Sequence, residues 1–383
     1  MFKAGIIGMG YIGPVHIEAL RRMGNVEVAA VAGRDEESTR VKAKALYVPR
    51  VYSDYRELLK DPEIDVVHIC SPNHVHYIHS KEALLAGKHV LCEKPLAMNS
   101  DEARELVALG REKGLVCAVH FNLRFYPLVH QARDMIQNGD LGRILAVNGV
   151  YQQDWLFYET DYNWRLEPEF GGESRAVADI GSHWFDAVEF VTGLKTEKVC
   201  ADFATFHPIR KKPLKPLETF SGKLLTPADY SDIQVGTEDY ASVLIRFSND
   251  VHGSFTCNQA AAGRKNKFCF EVYGDKAALM FDAEHPNELW VGYRDKNNKI
   301  LMKDPSLCYP GARELMSYPG GHAEGYPDTI KQMFTKLYRY IEDRSGLADE
   351  ETQFPTFNAG LRELLICEAI LKSARSEAWQ AVL

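Results

Sequence analysis

The stretch at residues 5–16, "GIIGMGYIGPVH", decides how the rest of the chain is read. Three glycines stand at the spacing Gly8-x-Gly10-x-x-Gly13, behind an apolar run and ahead of a helical pattern. In a strand–turn–helix that cradles a dinucleotide, the first glycine makes the tight turn. The second lets the backbone approach a pyrophosphate, and the third lets helix and strand pack closely. Glycine-rich turns without a ligand share this spacing, so the surrounding hundred residues must choose between the two.

They choose the cradle. The segments at 3–8, 26–33, 65–71, 88–93 and 114–120 are rich in Val, Ile or Ala and lack polar alternation, as in parallel strands buried on both faces. Between them lie stretches of helical spacing, with Ser53 and Ser100 placed as N-caps and Gly24, Gly87 and Gly114 as C-terminal stops. The pattern predicts a doubly wound α/β Rossmann domain over 1–122. The phosphate charge then sits at the positive end of the first helix.

After Asn122 the pattern changes, and 123–383 reads as a second α/β domain with a large, mostly antiparallel open sheet. A strand is expected at 143–153 and a helix at 175–193. Further strands are expected at 197–206, 239–247, 251–258, 267–273, 277–282 and 288–293, and closing helices near 324–343 and 357–377. The stretch at 207–234 carries four prolines and a basic cluster. It reads as a long exposed excursion, either a solvated loop or a subunit contact.

Bulk properties narrow the function classes. At 383 residues the chain exceeds a single core, and 45 basic against 53 acidic residues leave a net charge of -8. That balance disfavours nucleic acid as a partner. Eight cysteines are scattered without a C-x-x-C pair, which argues against a zinc ribbon or disulfide framework and fits a reducing compartment. No signal peptide and no apolar run of about 18 residues is visible, so the expectation is a soluble, cytoplasmic protein with no membrane partner.

The end of the second strand ordinarily selects the cofactor through an acidic residue about 20 positions past the last glycine. Here Gly33 occupies that place, followed by Arg34 and Asp35. The missing carboxylate leans toward a 2′-phosphate, yet Asp35 can turn inward, so NAD and NADP both stay open. Ligands of a doubly wound sheet bind beyond the carboxyl ends of its strands, where "CSPNHVH" (70–76) and "CEKPLAMNS" (92–100) emerge. Gly8, Gly10, Tyr11, Ile12, Gly13, Gly33, Arg34, Ser71, Asn73, His76, Glu93 and Lys94 are the expected cofactor-binding residues. A lysine held out of helical geometry by the following proline can stabilise a forming alkoxide or relay a proton.

Gly8-x-Gly10-x-x-Gly13, Glu93-Lys94-Pro95 and Asp179-x-x-x-His183 in "ADIGSHWFD" together resemble the Gfo/Idh/MocA oxidoreductases, over essentially the whole chain. The resemblance implies a Rossmann domain, a following α/β domain whose open sheet often mediates homo-oligomers (dimer or tetramer), and NAD(P)-dependent redox chemistry on a sugar, sugar derivative or cyclitol. By carry-over, Lys94, Asp179 and His183 take the positions of the family's catalytic Lys, Asp and His. The residues agree with it. On a helix Asp179 and His183 share a face, and a histidine can take a hydroxyl proton as hydride leaves the adjacent carbon. Gly181 is expected to let a ligand approach that turn. A metal held by Asp179 and His183, with the cluster His74, His76 and His79, is the weighed alternative; the expectation is no metal.

For substrate, "VYQQDWLFYETDYNWRLEPEFGG" (150–172) mixes Tyr151, Trp155, Tyr158, Tyr162 and Trp164 with Asp154, Asn163 and Arg165, offering flat apolar faces and polar forks. Asp154, Trp164, Arg165 and His322 are the expected substrate contacts, with Asn122 and Arg124 at the cofactor–substrate junction. Two rivals to a simple dehydrogenase remain: a redox-cycling glycoside-cleaving enzyme, and a nicotinamide-binding sensor that has lost catalysis.

Overall fold

The computed structural model describes residues 1–214, 229–343 and 352–383, which form two compact units. The first comprises Met1–Phe121, Glu169–Gly172 and Ile330–Leu364; the second comprises Asn122–Pro168, Glu173–Thr329 and Leu365–Leu383.

In the first unit six parallel strands, β1 (Phe2–Ile7), β2 (Val26–Ala32), β3 (Arg50–Tyr52), β4 (Val66–Ile69), β5 (His89–Cys92) and β6 (Cys117–Val119), lie in the order β3-β2-β1-β4-β5-β6. Five helices connect them: α1 (Ile12–Met23), α2 (Glu36–Ala45), α3 (Tyr55–Lys60), α4 (His76–Leu85) and α5 (Ser100–Lys113). The order reverses between β1 and β4, which is where such sheets bind ligands. The strands are apolar because both faces are covered: β4 is buried throughout, as are Val90, Leu91 and Cys92 of β5. Strand β3 is absent from the sequence reading because three half-buried residues make no apolar run. The caps shift by one residue: Asp54 accepts from the Arg56 amide and Asn99 from the Glu102 amide, in place of Ser53 and Ser100. Gly24, Gly87 and Gly114 do stop their helices in the left-handed region.

The second unit holds a nine-stranded sheet and a separate two-stranded ladder. Its strands are β7 (Ile144–Gln152), β8 (Thr196–Ala204), β9 (Ile209–Pro213), β10 (Tyr230–Gln234), β11 (Tyr240–Phe247), β12 (His252–Asn258), β13 (Lys267–Gly274), β14 (Ala278–Asp282), β15 (Glu288–Gly292), β16 (Lys299–Met302) and β17 (Gln380–Ala381). The large sheet runs β16-β15-β14-β13-β7-β12-β11-β8-β17. Every pairing is antiparallel except β7 with β12. The helices of this unit are α6 (Pro127–Gln137), α8 (Ser182–Thr192) and α9 (Pro310–Arg313); the residues of α7 (Pro168–Gly171), α10 (Tyr326–Asp343) and α11 (Phe357–Ser376) are divided between the two units. Trp184 and Phe185 of α8 bury completely against Phe255 of β12.

Two expectations change here. Within 207–234, β9 and β10 form an antiparallel ladder, and Arg210 from the basic cluster is fully buried against Asp239; residues 215–228 lie outside the described residues. The helix expected at 175–193 begins with a π-turn, Val177–Gly181, before α8 takes over. Among the described residues no helix is long and apolar enough to cross a membrane.

Candidate active site

The glycine loop fits a dinucleotide position by position. Gly8 has φ +103, and a Cβ there would lie 2.5 Å from the Cys70 carbonyl oxygen. A Cβ on Gly13 would lie 2.2 Å from the Gly8 oxygen, so this glycine brings α1 onto β1. At Gly10 a Cβ meets nothing within 4 Å; that open space is where a pyrophosphate can approach the backbone. No side chain caps the start of α1 and its first turn has no acidic residue, leaving amide donors and a positive dipole end for an anion. Tyr11 is exposed and Ile12 half-buried beside this loop.

At the end of β2, Gly33 packs against Thr39, which takes the space a longer residue needs. Asp35 does not face inward: it caps α2, accepting from the Ser38 amide at 2.7 Å. Arg34 is exposed. At the ends of β4 and β5 the polar residues are more deeply engaged than the sequence suggests. Asn73 donates to the Gly171 carbonyl at 3.1 Å. His76 lies 2.7 Å from both the Ser71 and Pro95 carbonyl oxygens, and the Ser71 hydroxyl lies 3.0 Å from His79 Nδ1. Burial lowers the His79 imidazole to about 4. Glu93 is buried, with its Oε1 2.9 Å from His16 Nε2 and 2.5 Å from His120 Nδ1. Burial pushes the Glu93 carboxyl up, but the two imidazoles outweigh it and hold the group well below the usual carboxylate range. Lys94 follows on the same turn, half-buried.

In the second unit Asp179 sits in the π-turn and His183 in the first turn of α8, buried near the Tyr151 ring. Asp179 is held at 3.1 Å by the Arg165 guanidinium and at 2.8 Å by the Gln259 amide. Gln259 in turn accepts from buried Arg175, and Arg165 lies over the Trp164 ring at 4.4 Å. Trp164, Arg165, Asp179 and Gln259 therefore form one platform, with Asn163 capping the turn that carries the first two. Burial alone pushes Asp239 up, but Arg175 and Arg210 hold it below its ordinary value, anchoring the platform from behind.

Other expected substrate residues have internal partners. Arg124 forms a two-pronged bond with Asp186 of α8 and stacks on Phe190. Asn122 is buried and donates to Thr329 at 2.7 Å. Asp154 accepts from Lys265 at 2.5 Å and the Gly263 amide at 3.1 Å. His322 is exposed on a loop, with Nδ1 3.4 Å from the Gly320 carbonyl. Trp155 and Tyr162 pack on a small cluster of Leu156, Leu166 and Val235, while Tyr158 is exposed. Gly181 serves packing: a Cβ there would sit 3.3 Å from Phe255. Among the described residues, the His, Cys, Asp and Glu atoms spaced for a metal are those of His16, Glu93 and His120, not Asp179, His183 or the trio His74, His76 and His79. Their 2.5 and 2.9 Å contacts are hydrogen-bond lengths.

The family description "Oxidoreductase family, NAD-binding Rossmann fold" matches residues 2–121, and "GFO/IDH/MocA C-terminal domain" matches residues 129–280. This chain belongs to the Gfo/Idh/MocA family. Levoglucosan dehydrogenase of Pseudarthrobacter phenanthrenivorans is 29% identical over 391 residues, covering 98% of this chain and 97% of that protein. An uncharacterized oxidoreductase of Bacillus subtilis, YrbE, is 30% identical over 303 residues, 78% of each chain. The solved structure of levoglucosan dehydrogenase in complex with NADH and levoglucosan superposes with a TM-score of 0.88 at 29% identity, covering 100% of this chain and 99% of that one. The Gfo/Idh/MocA chain is an NAD(P)-dependent oxidoreductase, and its first unit is an NAD-binding Rossmann fold.

Sequence reasoning missed Gln259, which no motif marks, and the histidines around Glu93. His16 stands three residues past Gly13, and only the sheet order brings it to residues 68, 93 and 120.

Proposed function

We propose that this protein moves hydride between nicotinamide and a secondary alcohol of an uncharged sugar, glycoside or cyclitol. The observation that carries the reading is the platform beside His183: Asp179, fixed by Arg165 and Gln259, with the Trp164 ring next to it. A flat indole and a fork of donors and acceptors suit a polyol, which presents C–H faces and hydroxyl edges. The charges favour a neutral one. Arg124, Arg165, Lys212 and Lys265 each face a carboxylate of the same unit, so a phosphate or carboxylate on the substrate has to displace it. The similarity to a dehydrogenase named for levoglucosan supports the same class.

Bound NAD(P) would supply the hydride acceptor; the loop shaped by Gly8 and Gly13 would hold its pyrophosphate over the open backbone at Gly10. His183 accepts the hydroxyl proton, and Lys94 donates a hydrogen bond to the oxygen as negative charge develops there. Asp179 keeps a neighbouring hydroxyl in register. In this reading residues 1–122 serve the nucleotide and 123–383 the substrate and a homo-oligomeric contact, except that Glu169–Gly172 and Ile330–Leu364 belong to the first compact unit.

The test is a panel of neutral pyranoses, glycosides and cyclitols against their phosphorylated and acidic counterparts, following NAD(P)H at 340 nm. Accumulating reduced cofactor with the neutral members supports the reading. Aglycone release without net reduction replaces it by the redox-cycling glycoside cleavage. Binding of NADH with no turnover on any member replaces it by a sensor.

A further inference from the structure

Both neighbours of Lys94 are pinned by histidines, and nothing in the chemistry above uses the rings of His16 and His120. On one side, Glu93 Oε1 takes His16 Nε2 at 2.9 Å and His120 Nδ1 at 2.5 Å, while Glu93 Oε2 accepts the Lys94 amide at 3.3 Å. On the other, the Pro95 carbonyl lies 2.7 Å from His76 Nδ1, and His76 Nε2 lies 2.7 Å from the Ser71 carbonyl. These rings come from α1, from the residue after β6 and from α4, so three separate elements fix one three-residue turn.

The network continues inward. His16 Nδ1 is 3.1 Å from His68 Nδ1 and 3.3 Å from Cys70 Sγ, and His68 Nε2 is 2.9 Å from the Tyr338 hydroxyl. Counting donors gives one consistent proton assignment. An ionised Glu93 only accepts, so His16 carries its proton on Nε2 and accepts on Nδ1. His68 then donates from Nδ1 and accepts from the Tyr338 hydroxyl on Nε2. Burial favours that neutral form, lowering His16 to about 4 and His68 well below its ordinary value. His16 and His68 are 0% exposed, His76 1% and His120 2%, so bulk water cannot replace a lost partner.

We infer that His16, His76 and His120 are positioning residues for Lys94, holding Glu93 and Pro95 so that the lysine side chain between them starts from a fixed backbone. This rests on the role proposed for Lys94. A turn held from one side can pivot about the other; held from both, it fixes the direction in which the Lys94 side chain leaves the backbone. A displacement of about 1 Å at a reacting group costs on the order of 10²-fold in rate.

The test is a double-mutant cycle between His120 and Lys94. His120→Ala deletes the donor, and His120→Asn replaces Nδ1 by an amide nitrogen at nearly the same place. We expect His120→Ala to lower kcat by roughly 10- to 100-fold, with KM and the fluorescence-titrated NADH Kd within about twofold, and His120→Asn to recover most of the rate. The decisive result is in the Lys94→Ala background, where His120→Ala is expected to cost nothing further. An equal loss in both backgrounds overturns the inference, as does a stoichiometric metal bound at His16, Glu93 and His120 in the purified protein. A Lys94→Ala enzyme with wild-type kcat instead overturns the role given to Lys94. Should His120→Ala fail to fold, His76→Asn supplies the same cycle from the Pro95 side, with the same two outcomes.

Discussion

Glu93 and Asp179 are two carboxylates that each stand close in the chain to a group assigned to chemistry, and they are held by different means. Imidazoles hold Glu93 in the interior of the first unit, beside Lys94. A guanidinium and an amide hold Asp179, ahead of His183, on a platform that is only partly buried. Arginine keeps its charge at every accessible pH, whereas a histidine does not. The first carboxylate is therefore fixed in a way that depends on proton count, and the second in a way that does not.

The largest expected effect tests whether both regions serve one reaction. Lys94→Ala and His183→Ala should each lower kcat by about 10²- to 10⁴-fold while NADH binding, followed by fluorescence, stays intact. If either substitution leaves kcat unchanged, that region drops out of the chemistry.

Acid stability separates the two carboxylates next. The unfolded chain protonates His16 near the ordinary value of 6.5, whereas the folded chain resists until about 4. Between those limits the unfolded state binds more protons, so stability falls as pH drops through the window, by about 3 kcal/mol at most from this group. Loss of ionised Glu93 adds to the fall at the acid end, because its folded value is also depressed. Melting temperature against pH from 7 to 4 should show the decline, and His16→Gln should flatten it. An equally steep profile in that variant would place the acid sensitivity elsewhere.

A smaller effect is expected on the platform. Arg165→Ala should raise KM for the sugar about tenfold, at any pH between 6 and 9, since the guanidinium it removes does not titrate there. The smallest is at the cofactor's adenosine end. Arg34→Ala should weaken NADP(H) several-fold and leave NAD(H) within about twofold, measured by titration of each nucleotide. Asp35 cannot compensate while it caps α2.

Much of the first unit was legible because buried parallel strands write continuous apolar runs, and because the glycine spacing has a steric reason at each position. The second sheet was legible strand by strand but not in its order. Nothing local marks β7 and β12 as parallel neighbours, since that pairing joins His252 to Ala146. The prolines in 207–234 hid the β9–β10 ladder, whose two strands frame residues 215–228. The candidate site residues are marked in the sequence by type and motif. Their partners are not: Arg124 pairs with Asp186 and Asp154 with Lys265 across 62 and 111 residues. Side chains that serve chemistry and side chains that hold a fold together carry the same letters.

The parallel pairing at the middle of the large sheet has a further consequence for how the protein is assembled. No hairpin can close that seam, so the ribbon β8–β11–β12 and the ribbon β13–β14–β15–β16 must each reach β7 by a long return of the chain. At the seam lies Gly149, where a side chain would strike the Trp184 indole at 2.2 Å and the Cys269 carbonyl at 2.4 Å. A single methyl at that position is therefore placed to keep the two ribbons from zipping onto their shared spine, and it is the place where refolding should be easiest to stall.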